Sequence, residues 1–111
     1  MDIKSENNIT TIIPPAYMDV DFVDAFRNNI TKIIQEGTDH IMIDFTDVIS
    51  INSSCLGVII EAMSRLKNSS KEIVICNMQD IVLKIISVLN LQKVFTIYDS
   101  KESAVEFLKN K

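Results

Sequence analysis

Two short apolar runs, Ile41-Met42-Ile43-Asp44-Phe45 and Ile73-Val74-Ile75-Cys76, constrain the fold of this chain more than any other feature. Neither alternates regularly between apolar and polar residues. Each therefore reads as a strand covered on both faces, the pattern of a parallel sheet rather than of a half-solvated hairpin. Between them, from about 53 to 67, Leu56, Ile59, Ile60, Met63 and Leu66 recur at the spacing of one helix face. A covered strand, an amphipathic helix and a second covered strand make a crossover unit, for which a right-handed connection is expected.

The alternation continues in both directions. Ile9–Ile13 is rich in β-branched residues and stops at Pro14-Pro15, with Met1–Ser5 as an edge strand pairing across a Glu6-Asn7-Asn8 turn. From about 20 to 36, Phe22, Val23, Phe26, Ile30, Ile33 and Ile34 define a helix that Gly37 closes as a left-handed cap. A third helix, about 79 to 89, aligns Ile81, Val82, Ile85, Ile86 and Leu89, then ends with Asn90 in the left-handed position and Leu91 after it. Phe95–Tyr98 reads as a last strand. Asp99 with Glu102 three residues on resembles a capping box for a final helix to about Leu108. The expectation is one α/β domain over residues 1–111, a largely parallel mixed sheet of four or five strands with about four helices against it.

Several chemistries fail on composition. Net charge is −4 and the eleven Lys and Arg residues are scattered, against a dedicated nucleic-acid binder. The opening MDIKSENN has no apolar signal core, and no apolar stretch is long enough to span a bilayer, so a cytoplasmic location without membrane insertion is expected. Only two glycines occur, and neither GxxxxGK[ST] nor GxGxxG is present, which removes glycine-loop phosphate cradles. A receiver domain needs paired acids where the first strand runs into Pro14-Pro15. The single histidine, His40, reads as a solvent-edge residue just before a strand, so Ser53 has no base and no flanking glycines of a nucleophile elbow. Asp44 and Asp47 read as turn and cap residues near a strand end. Cys55 and Cys76 lack CxxC spacing and a second histidine, so neither a zinc site nor a disulfide is expected. Cys76 reads as core. Cys55, in the first turn of a helix, reads as a small packed hydrophobe; the alternative is a thiol activated by the helix N-terminus. The expectation is therefore no enzyme, no cofactor and no metal.

One junction stands apart: Ile49-Ser50-Ile51-Asn52-Ser53-Ser54-Cys55-Leu56-Gly57. Asn52 is a good N-cap, and Ile51 with Leu56 then occupies the two positions of a hydrophobic staple. Ser53 falls at the first helical position, where a side chain is exposed. Asn-Ser-Ser can be simply a capping sequence. The same geometry also suits a switch, because a helix N-terminus tolerates the added charge of a phosphoserine while a partner on that surface meets a new dianion.

At this junction the chain resembles the STAS family, the sulfate transporter and anti-sigma factor antagonist domains, and above all the bacterial single-domain antagonists. Their signature is an I-V-L-D-L strand, a short loop, then D-S-S/A-G-L-G opening a helix. Ile41–Phe45 matches the strand and Asn52–Gly57 the motif, with Asn52 in place of the acid and Cys55 in place of the first glycine. Tyr17-Met18-Asp19 lies where the family has E-L-D, Phe26 at an expected leucine, and Ile73–Asn77 and Val88–Leu91 with Phe95 match the later elements. The resemblance implies a partner switch that catalyses nothing itself. The unphosphorylated antagonist binds an anti-sigma factor with serine kinase activity and releases a sigma factor. Phosphorylation ends that binding, and a serine phosphatase resets the cycle. By position the phospho-acceptor is Ser53, and Asp19, Asn52, Ser54 and Cys55 belong to the partner surface of a chain that is a monomer when free. Two rivals remain: a constitutive, non-phosphorylated adaptor subunit of a stressosome-like or lipid-transport complex, and a small-molecule or redox sensor centred on Cys55.

Overall fold

A computed structural model of the protein describes residues 1–37 and 39–111. Strands β1 (Asp2–Glu6) and β2 (Ile9–Ile13) form an antiparallel hairpin in which Glu6 faces Ile9 across Asn7 and Asn8 alone. Both asparagines are left-handed, at φ +54° and +66°. A two-residue type I′ turn needs that pair, and Asn adopts it at less cost than most residues. The edge strand thus starts and ends one residue later than expected, and Glu6 belongs to it.

After Pro14-Pro15 come β3 (Tyr17–Met18), a 3₁₀ turn (Val20–Phe22) and helix α1 (Val23–Glu36). Gly37, at φ +81°, donates its N–H to the Ile33 carbonyl at 3.1 Å and closes the helix as expected. The remaining elements are β4 (His40–Asp44), β5 (Ser50–Ile51), α2 (Ser53–Arg65), β6 (Ile73–Cys76), α3 (Asp80–Val88), β7 (Ile97–Tyr98) and α4 (Lys101–Lys109).

The main sheet has the order β1-β2-β4-β6-β7, parallel throughout except for the β1–β2 pair. The three central strands β2, β4 and β6 bury both faces, while β1 is exposed and β7 half-buried, and the two-residue period sorts the side chains. Ile41, Ile43, Ile73 and Ile75 join Phe26 and Ile30 of α1, Leu56 and Ile59 of α2, and Val82 and Ile86 of α3 in the larger core. Met42, Val74 and Cys76 point the other way, onto Ala104 and Leu108 of α4. The result is a three-layer α/β arrangement with four helices, the expected class.

Local corrections have physical causes. In α2 the buried face is Cys55, Leu56, Val58, Ile59 and Ala62, so Ile60 is exposed where it was expected in the stripe. Phe95 is buried yet precedes the last strand, which is confined to Ile97–Tyr98. The cap of α4 is Ser100, not Asp99: Ser100 is extended and its Oγ accepts the Ser103 N–H at 3.1 Å. His40 is no solvent-edge residue; it opens β4, is buried, and its Nδ1 accepts the Glu72 N–H at 3.1 Å. Asp44 acts as the expected turn residue, its Oδ1 accepting from the Thr46 N–H at 3.0 Å and from Asn77 Nδ2 at 3.1 Å. The end of α3 follows expectation: Asn90 sits at φ +58°, with Leu91 N–H bonded to the Ile86 carbonyl and Asn90 N–H to that of Ser87, both at 3.0 Å.

Candidate functional site at the start of helix α2

The segment that leads into α2 is tied down from two sides. Phe45 and Val48 are buried, and the N–H groups of Ile49 and Ser50 both bond the Ala16 carbonyl, at 2.9 and 3.2 Å. Strands β3 and β5 pair in parallel, Tyr17 with Ser50 and Met18 with Ile51, and the Asn52 N–H reaches the Met18 carbonyl at 2.7 Å. This two-strand clip places the Asp19 loop beside the helix start. The resemblance had put Asp19 there; no sequence pattern marks two-residue strands.

Asn52 is extended, and its Oδ1 accepts the Ser54 N–H at 2.7 Å. Its carbonyl accepts from Cys55 N at 2.9 Å and Leu56 N at 3.4 Å. The expected staple is present, with Ile51 and Leu56 buried in one cluster. Ser53 and Ser54 are exposed, as is Asp19, and Asn52 is partly so. Cys55 is different. It has no accessible surface, and its Sγ faces the carbonyls of Met18 at 3.7 Å and Asp19 at 3.9 Å. Burial, then the Asp19 charge, pushes its thiol pKa up, against a smaller opposing effect of Arg27. Cys55, expected on the partner surface, therefore presents no surface of its own, as its reading as a packed hydrophobe implied, and its raised pKa is opposite to that of an activated thiol. Cys76 is also buried, its thiol pushed up to about 12 chiefly by burial.

Beside Ser53 lies a feature the sequence reading missed. A groove of about 420 Å³ runs between the β5–α2 junction and α3. Its apolar lining is Ile51, Ile81, Ile85, Val88 and Leu89, and its polar lining is Ser53 and Lys84. Val88 is 76% exposed and Ile81 57%. Only Val82 and Ile86 of α3 are fully buried, so the stripe expected to face the core is split between core and surface. The signal was present: Ile81, Val82, Leu83, Ile85, Ile86 and Val88 are more apolar residues than one face of a nine-residue helix uses.

The first turn of α2 itself carries no acidic residue, so its N-terminal dipole favours an anion at Ser53, against the opposing charge of the neighbouring Asp19. Among the described residues, no group of three or more His, Cys, Asp or Glu could hold a metal. No described helix is long and apolar enough to cross a membrane.

A Thermotoga maritima protein assigned to the anti-sigma factor antagonists is 23% identical over 109 residues, 97% of this chain and 96% of that protein. A Thermotoga maritima crystal structure of the same assignment superposes with a TM-score of 0.89 at 22% identity, covering 97% of this chain and 93% of the other. SpoIIAA, an anti-sigma factor antagonist and Bacillus cell fate determinant, is similar in both its solved states. The unphosphorylated form gives a TM-score of 0.83 at 18% identity over 99% of this chain and 96% of that one. The phosphorylated form gives 0.71 at 18% over 95% and 96%. These likenesses concern the fold. The STAS domain family matches residues 1–104 directly, and with the β4 strand, the capped Asn52–Gly57 helix start and the sheet order in place, the chain belongs to the STAS domain family.

Proposed function

We propose that the chain is an anti-sigma factor antagonist that binds an anti-sigma factor with serine kinase activity, releases a sigma factor, and is switched off by phosphorylation of Ser53. The observation that carries this reading is the position of Ser53: exposed, at the first residue of α2, on the rim of an apolar groove. Asp19, Asn52 and Ser54 complete the contact surface with the exposed residues of α3. In the transfer, Ser53 Oγ attacks the γ-phosphorus of ATP, the bond to the β-phosphate oxygen breaks, and ADP leaves. The hydroxyl proton passes to a base on the kinase, and a serine phosphatase hydrolyses the ester. The chain itself supplies no catalytic group and acts in the cytoplasm as a single domain, monomeric when free.

The N-terminal dipole and capping pattern support a modification that the fold tolerates, since added negative charge is favoured there. The neutral Asn52, standing where the family signature has an acid, favours a second reading: a non-phosphorylated adaptor subunit of a larger regulatory or lipid-transport assembly. The two separate in a pull-down from native lysate with wild-type and Ser53→Asp baits. An ATP-binding anti-sigma factor retained by the wild type and lost from the variant supports the switch. Identical partners on both baits support the adaptor. Ser53→Ala should fold, keep the partner and take up no phosphate from ATP; full labelling of that variant would move the acceptor elsewhere.

A further inference from the structure

We infer that Lys84 is the receptor for the phosphoryl group on Ser53, so that phosphorylation latches the start of α2 to α3 across the mouth of the apolar groove. This rests on the reading of Ser53 as the acceptor and adds a mechanism for how its modification acts. Of the residues that line the groove, five are apolar, one is Ser53 and one is Lys84, the only charge in the lining. Lys84 is exposed and forms no ion pair among the described residues. Asp80, one helical turn before it, is not its partner either.

The unmodified pair has little reason to meet, because a neutral hydroxyl gives an ammonium nothing beyond what water offers. A phosphoserine changes that. It carries a charge of about −1.5 to −2 at neutral pH and three strong acceptor oxygens. Lys84 brings a flexible four-carbon stem with a point charge at its tip, suited to capturing such a group on a facing wall. Ile81 lies three residues before it and Val88 four after, on the same face of α3. A lysine stem drawn toward Ser53 therefore lies over the apolar lining and covers it. The modification acts twice: it sets a dianion before the partner, and it closes the groove with the chain's own side chain.

The test needs no kinase. Phosphoserine is inserted at position 53 of the full chain by codon reassignment, and the ³¹P resonance is titrated with pH in the wild type, Lys84→Met and Lys84→Arg. The expected midpoint is about 0.5 pH unit lower in the wild type than in Lys84→Met, restored in Lys84→Arg and diminished by salt. Lys84 Hε and Cε resonances should shift on phosphorylation. Equal midpoints in the wild type and Lys84→Met overturn the latch, as does an unmoved Lys84 resonance. Failure of a kinase to label Ser53 strikes the functional reading alone; an unmoved titration strikes the latch alone.

Discussion

Gly57→Ala is expected to stabilise the free chain and to weaken its partner complex. Gly57 lies in the second turn of α2, exposed, and an ideal Cβ built on it meets nothing within 4 Å. Its backbone does not need glycine either, since Gly37 is the glycine with positive φ. The substitution thus introduces neither clash nor strain, and the whole helix-propensity difference should appear, about 0.8–1 kcal/mol in favour of Ala. For a chain of this length the unfolding entropy is about 0.23 kcal/mol per kelvin, so the midpoint should rise by about 4 °C. Thermal unfolding followed by far-UV circular dichroism reads this directly. Urea titration should show a higher midpoint at unchanged slope. A Tm that is unchanged or lower would refute the argument, because the methyl would then be meeting something the open space around Gly57 does not contain. The functional half concerns location. Gly57 is one turn after Ser53 and shares its exposed face, so it leaves bare backbone beside the proposed acceptor. A partner pressed against that backbone loses about tenfold in affinity to the methyl. Unchanged affinity would place the footprint short of the second turn.

Asn52→Ala should lower stability by about 1 kcal/mol, or about 4 °C, because the Ser54 N–H loses its 2.7 Å acceptor at a site water can reach. Asn52→Asp should melt at or above the wild type, with faster phosphorylation if the kinase reads a carboxylate; a wild-type Tm for the Ala variant would dismiss the cap. Both thiols should react with a disulfide reagent far more slowly in the folded chain than in denaturant, since both are buried with raised pKa. Rapid native labelling of either would contradict the packing. The single histidine offers a clean NMR titration. Burial first, then the charges of Lys71 and Lys111, holds His40 below 6.5 against the opposing Glu72 and Asp39. The folded chain therefore binds this proton less readily than the unfolded one. Its contribution to stability is complete above 6.5 and is lost as pH falls from there through the folded value. A midpoint at or above 6.5 would reverse the sign.

The elements legible in the sequence were those whose signal is local. The runs at 41–45 and 73–76 announced doubly covered strands, Asn52 with Ile51 and Leu56 announced the capped start of α2, and Asn90-Leu91 announced the ending of α3. What escaped depended on distant pairing. Strands β3 and β5 are two residues each and join Tyr17 to Ser50, so neither has a period to read. His40 carried a polar label at a strand start, and only the fold brings the Glu72 amide to its ring. Cys55 reads from its position as a small packed hydrophobe, which its burial bears out; its place on the partner surface came from the resemblance alone. The direction of its side chain is set by the β3 strand that the clip brings against it. The exposed half of α3 was hidden by excess, since a helix apolar nearly all round gives no sign of which side stays uncovered.

These same long-range ties decide what kind of response the site can give. The Ile49, Ser50 and Asn52 amides are held by the Ala16 and Met18 carbonyls, and Cys55 packs its sulfur on Met18 and Asp19. Met18, Ile51, Cys55 and Leu56 are buried together. Moving Ser53 relative to Asp19 would break several of these contacts at once, whereas a dianion at the start of α2 is favoured by about 0.3–1 kcal/mol. The stable response to a charge on Ser53 is therefore an unchanged scaffold with a changed surface. Exposed groups such as Lys84 can reorient, and an arriving partner meets the new field, while the clip beneath keeps its geometry. Asn52 belongs to the scaffold side of that division: it caps the helix about as well as an acid would, without adding a charge of its own to the start of α2.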